Sequence, residues 1–338
     1  MFNLFGTPEE RAKRDEQKRL KTEQRQKSID ARQLEQGRQA QDLRLLEMGK
    51  LPSQATERLQ AIGASTGDAE LFTSGLSPVE AGLLRREGYR VRGLVTGSAM
   101  YHVGMAYASS TNDCEVTVLS QAYDTATALA VSRMRQELTL IGAHGAVGVR
   151  LSVVRHEWAD KTVEVQLIGT AIQGPDATSA QPWICDLSAE EWYGLRRAGY
   201  APTSLVWGHC TWFILTTMAD ECVHMSLSNQ EMTHWSSAFS RARDRAMQSV
   251  LAQARHWGAS GIVGVKIAKR LDEVRLTGTS YDGATEREHH NLVVSIIGTG
   301  IRTTGKASHS APATVPIISL SDGSFNLKPI GPADLSIV

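Results

Sequence analysis

Four cysteines and ten histidines are the side chains through which this 338-residue chain could do soft-metal or nucleophilic chemistry. A structural zinc site needs about four converging ligands, usually signalled by C-x-x-C or H-x-x-x-H. Neither spacing occurs. The nearest approximations are His209-Cys210 and Cys222-Val223-His224. Cys114 and Cys222 each follow an acid, Asp113 and Glu221, at what read as matching places in two halves of the chain. If a pseudo-symmetric ring brings such positions together, Cys114, Cys222 and His224 are the candidate ligands for a soft divalent metal. Small buried hydrophobes are the simpler reading of the cysteines. His289-His290 adjoins a polar run at 277–288 and is expected in solvent, where metal binding is adventitious.

Catalytic signatures are missing. There is no G-x-S-x-G elbow, no phosphate-binding P-loop and no H-E-x-x-H helix. Gly142-Ala143-His144-Gly145 stands between a helix and a strand, the reverse of the order that aims a helix N-terminus at a phosphate. Arg85-Arg86 and Arg196-Arg197 each close a short helix, where cations favour the C-terminus. The chain reads as a non-enzyme with no resident cofactor.

Composition narrows the class further. Lys+Arg and Asp+Glu are 36 each, so there is no positive excess to neutralise nucleic-acid phosphates. No apolar stretch is long enough to span a bilayer. The start, MFNLFGTPEERAKRD, turns charged too early for a secretory signal, and a cytoplasmic location is expected. Residues 1–60 are expected to form a charged, partly helical arm. Its first 50 positions hold 12 Lys/Arg and 9 Asp/Glu among good helix formers, with no sustained heptad. Phe2, Leu4 and Phe5 are its apolar tip. Residues 303–338 carry 4 of the 10 prolines among Ser, Thr, Ala and Gly, and read as a flexible tail. Arm and tail are the segments expected to recruit a protein partner. Ile317, Ile318, Leu320 and Phe325 are the tail's candidate docking strand.

The elements between these ends are written twice. LSPVEAGLLRREGYRVRGLVTG (76–97) and LSAEEWYGLRRAGYAPTSLVWG (187–208) agree at 11 of 22 positions. GAHGAVGVR (142–150) then matches GASGIVGVK (258–266), and VEVQLIGTAI (163–172) matches LVVSIIGTGI (292–301). Three blocks in one order indicate two copies of one unit, at 71–173 and 183–302. Ser77-x-x-Glu80 and Ser188-x-x-Glu191 are capping boxes, and Gly88 and Gly199 mark left-handed helix ends. Apolar runs at 94–103 and 205–216 are expected to fold back as hairpins onto strands at 115–119 and 222–227. Thr127, Val131, Met134, Leu138 and Ile141, and likewise Phe239, Ala242, Ala246, Val250, Ala254 and Trp257, form helical stripes over a sheet. The expected unit is α-β-β-α-β-β, an α+β fold with a mainly antiparallel sheet.

These blocks resemble the YbjQ-like family, often labelled heavy-metal-binding domains. The resemblance rests on Val95-Thr96-Gly97, on the segments 142–149 and 165–172, and on their second-copy partners. It implies a dodecin-like fold for each tandem unit and ring-shaped homopentamers. Gly300, where alanine is usual, and the insertion at 272–288 depart from the pattern.

Interfaces carry the strongest functional signal. The run LVWGHCTWFIL (205–215) is apolar on both faces, and six of seven tryptophans fall between 183 and 257. Trp207, Trp212 and Phe213 are accordingly the candidate oligomer contacts. The expected protein is a non-enzymatic homo-oligomeric scaffold related to a pentameric ring. The alternative is a soft-metal or small-ligand sensor working at subunit interfaces.

Overall fold

The computed structural model describes residues 8–64, 73–104, 112–155, 162–175, 181–274 and 289–304. The apolar tip at 2–5 and the tail beyond 304 lie outside them. The arm is helical, as α1 (Pro8–Glu47) and α2 (Ser53–Ala64). Between residues 19 and 41, α1 is exposed throughout, as its thin apolar content requires. Its end turns back where Asp42 accepts from the Ser53 N–H at 2.8 Å, and α2 buries Leu59 completely.

Two units follow with parallel construction. The first runs α3 (Pro78–Arg86), β1 (Arg90–His102), β2 (Cys114–Glu115), α4 (Thr117–Leu140), β3 (Gly145–Arg155) and β4 (Thr162–Gln173). The second runs β5 (Trp183–Ile184), α5 (Ala189–Arg197), β6 (Tyr200–Ile214), α6 (Met218–His224), α7 (Thr233–His256), β7 (Gly261–Val274) and β8 (His289–Thr303). Both serine capping boxes form, and Gly88 and Gly199 take φ of 78° and 82°. The first sheet is ordered β1-β4-β3-β5 and the second β2-β6-β8-β7. In each, a central strand is flanked by antiparallel neighbours, with register breaks at Val147/Arg150 and Val263/Lys266. The result is a mixed α+β molecule with two mostly antiparallel sheets.

The expected hairpins do not form. β1 and β6 pair instead with the last strands of their units, through twelve and fourteen residue pairs. The strand expected at 222–227 is helical at its start, because Thr217 and Asp220 cap each other reciprocally and open α6. The strand expected at 115–119 shrinks to β2, since α4 begins at Thr117. The long helices start at Thr117 and Thr233, so Cys114 corresponds to Gln230 and not to Cys222. The cysteines therefore do not occupy matching places.

Each long helix lies close on its sheet at a glycine. A Cβ on Gly97 would meet the Ala130 carbonyl oxygen at 2.0 Å, and one on Gly208 the Ala246 oxygen at 2.1 Å. Only hydrogen fits there. Burial differs sharply between the two helices. α4 buries Ser120, Tyr123, Thr127, Val131 and Met134 besides its alanines, whereas α7 buries one stripe, Ala238, Ala242, Ala246, Val250 and Ala254. α4 is covered on more than one side because the second unit packs against it.

Candidate assembly interface

The junction of the two units concentrates the molecule's polar chemistry. α4 meets β6 through His209, whose ring bonds Thr127 Oγ1 at 3.0 Å and Ser295 Oγ at 2.9 Å. Complete burial pushes the His209 pKa down to about 4, so the ring is neutral near pH 7. The His209 N–H donates to Asp124 Oδ1 at 3.3 Å, and the Thr211 N–H donates to Ser120 Oγ at 3.0 Å. Burial, helped by the charge of Glu115, raises Asp124 to about 6 against the opposing His209 N–H and Arg245. Farther along α4, Arg135 donates to Ser204 Oγ at 2.5 Å and lies 4.4 Å over the Trp257 ring.

Each unit lends a two-residue strand to the other's sheet. β2 adds antiparallel to β6, with Cys114 opposite Phe213 and Glu115 opposite Trp212. Glu115 also pairs with Arg245 of α7 at 2.9 Å. Just ahead, Asp113 accepts from the Leu215 N–H at 3.0 Å and meets His234 Nε2 at 2.9 Å. Asp220 holds the other ring nitrogen of His234 at 2.9 Å. Burial, the largest single influence, lowers the His234 pKa, but the two carboxylates together outweigh it and the net shift is upward.

In return, β5 adds parallel to β3, with Trp183 opposite Gly145 and Ile184 opposite Ala146. The Cys185 N–H donates to the Ala146 carbonyl at 3.0 Å, and Gly148 N–H to the Leu187 carbonyl at 2.7 Å. The Trp183 indole occupies the space a Gly145 side chain would need, 2.3 Å from the would-be Cβ. Asp186 then anchors the segment to its own unit. Its carboxylate accepts from Thr299 Oγ1 at 2.5 Å and pairs with Lys266 Nζ at 3.1 Å.

The residues singled out from the sequence fall as follows. Phe213 is fully buried, and Trp207, 9% exposed, shares a hydrophobic cluster with α4; Trp212 is partly buried on β6. Trp207 and Phe213 face the junction between units, whereas the Trp212 side chain packs in the second unit's own cluster beneath α7. Cys114 is partly buried on β2, while Cys222 is exposed on α6 and His224 closes that helix. Among the described residues no three His, Cys, Asp or Glu side chains gather as metal ligands. Burial drives the thiols of Cys210 to about 12 and of Cys185 higher still, which keeps both protonated. His289, expected in solvent, is 9% exposed because β8 carries it beside Phe213. Sequence reading missed His209, Asp124 and His234 as a set. Their only trace was His209 lying inside an apolar run, where a polar residue must find partners.

No family model matches the chain. No solved structure matches it. A relative does: the encapsulin nanocompartment protein Rv1762c of Mycobacterium tuberculosis is 30% identical over 276 residues, spanning 80% of this chain and 98% of the relative. The chain belongs to the family of that protein. The YbjQ-like resemblance is thereby corrected. Its motifs are backbone requirements: Gly97 admits a helix, and the 142–149 segment makes a turn and a bulge with Gly142 and Gly148 at positive φ. Any bulged strand entered tightly from a helix needs such glycines, so they specify geometry more than ancestry.

Proposed function

We propose that the chain is a non-enzymatic subunit of a homo-oligomeric protein shell; its Mycobacterium relative bears the name encapsulin nanocompartment protein. The observation that supports this is the internal junction. Two tandem α+β units are joined within the chain by exchanged strands and by α4 packed on β6, a mode of contact that successive copies can repeat. His209 is neutral and spends both ring nitrogens on hydroxyls. The proposed place of work is the cytoplasm; among the described residues no helix is long and apolar enough to cross a membrane. The arm and tail are left to bind a partner protein.

Native mass spectrometry of untagged, chelator-free protein tests this. A defined oligomer well above the 36.8 kDa subunit mass is expected. A monomer at every concentration overturns the reading. The same spectrum shows whether metal accompanies each subunit.

A further inference from the structure

The contact between the two units has two halves, and each is left open once. β3 receives β5, but β7, its counterpart in the second sheet, is the outermost strand of that sheet. Burial follows the difference. Val149 on β3 is 1% exposed, whereas the matching Val265 is 43% exposed and Ile267, beyond it, 53%; Val147 is fully buried and its match Val263 half-buried. The donated segment shows the same asymmetry. In sequence, LFTSGLS (71–77) matches PWICDLS (182–188), so Thr73, Ser74 and Gly75 correspond to Ile184, Cys185 and Asp186. The latter three are buried between β3 and the second unit, whereas Thr73 and Gly75 are exposed. Gly75 nonetheless sits on its own unit as Asp186 does: its N–H donates to Thr170 Oγ1 at 3.1 Å, as Asp186 N–H donates to Thr299 Oγ1 at 3.1 Å. The segment is in place, and only its receiving strand is absent.

A glycine marks the vacant seat. Gly145 has no room for a Cβ because Trp183 covers it. Its counterpart Gly261 would put a Cβ no closer than 3.6 Å to anything, yet the position is glycine all the same. The second exchanged strand agrees in direction. Gln230 and Glu231, counterparts of Cys114 and Glu115, are exposed, and so is His102 at the β1 position matching Phe213. Both open halves therefore run from the second unit of one copy to the first unit of another.

Resting on the shell reading above, we propose that β7 binds the segment at 73–76 of a second copy of this chain, in parallel and in the register of β3 with β5. Ile262 then lies opposite Thr73 of the neighbour. The backbone bonds extend the sheet, and the exposed Val265 closes against the incoming segment. Such a contact is head-to-tail, so it closes into a ring or continues as a filament according to its rotation.

Two experiments on the full chain test the pairing. Thr73→Cys and Ile262→Cys proteins, each also carrying Cys222→Ser, are mixed and mildly oxidised. A covalent dimer from the mixture, and from neither protein alone, is expected. Gly261→Val fills the seat where the fold has room, so the circular dichroism spectrum should be unchanged while self-association weakens at least about tenfold. An oligomer that ignores Gly261→Val and yields no mixed dimer overturns this pairing and leaves the shell reading standing. A monomeric parent chain overturns both.

Discussion

His234 is held between Asp113 and Asp220 at 2.9 Å on either side, linking the loop before β2 to α6 and α7. Its pKa is raised in the fold. The stabilisation is therefore complete below the unfolded value of about 6.5 and is lost as pH rises through the folded one. Asp220 is shifted down, despite burial, by its bonds to Thr217 and His234, so its share is lost only on acidification. Thermal melts of the parent and His234→Gln should thus differ most between about pH 4.5 and 6.5 and converge in alkali. Equal differences at pH 5.5 and 9 would remove the charge from the explanation. Asp124 behaves oppositely, because burial makes its ionised form unfavourable and lifts it to about 6. Asp124→Asn keeps an acceptor for the His209 N–H. It should raise stability at pH 8 by about 1–2 kcal/mol, with the gain vanishing below about pH 4. Urea midpoints at the two pH values decide it. Asp113 was not legible as a partner of His234: the two are 121 positions apart, and their spacing carries no periodicity.

At the scale of elements, helices were legible and strand pairing was only half so. Reciprocal serine and glutamate caps and 3–4 spacing are local, and α3, α5, α4 and α7 form where those signals place them. The hairpins failed because adjacency in sequence is a weak guide to a non-local partner. A Thr-x-x-Asp box, overlooked beside an apolar strand, opens α6 where a returning strand was expected. The close helix–sheet approach gives a sharp prediction. Gly208→Ala places a Cβ 2.1 Å from the Ala246 oxygen, which must force α7 off β6. A loss above about 2 kcal/mol is expected in urea unfolding. A near-neutral result would show that the helix gives way without cost. The arm makes its own case. Leu59 is fully buried, and Arg58 reaches the buried Glu137 at 2.7 Å. Leu59→Ala should cost about 2–3 kcal/mol of docking, read as faster hydrogen exchange confined to α2.

Across the whole molecule, one hydrophobic cluster runs from α2 through β1, α4 and β4 to Leu205, Trp207, Phe213 and Val293 of the second sheet. Units that share a core and exchange strands should unfold together. A single calorimetric transition is expected for the parent. Ile184→Ala removes a fully buried side chain from β5 and should lower stability by about 2–4 kcal/mol. It should also split the transition by loosening the first unit from the second. Retention of one sharp transition at reduced midpoint would place the coupling in α4 and β6 alone.

The sequence by itself determined the doubled order of blocks, the capped short helices, the apolar stripes and the glycines that long helices need. Each of these is a local or periodic constraint, readable within a few turns of chain. Tertiary structure alone decided that β1 and β6 pair with the last strands of their units. It also placed β2 and β5 in each other's sheets and sealed His209 between α4 and β8. Those outcomes depend on which distant groups satisfy one another's hydrogen bonds and exclude water together, a choice made only when both sides of the junction are present.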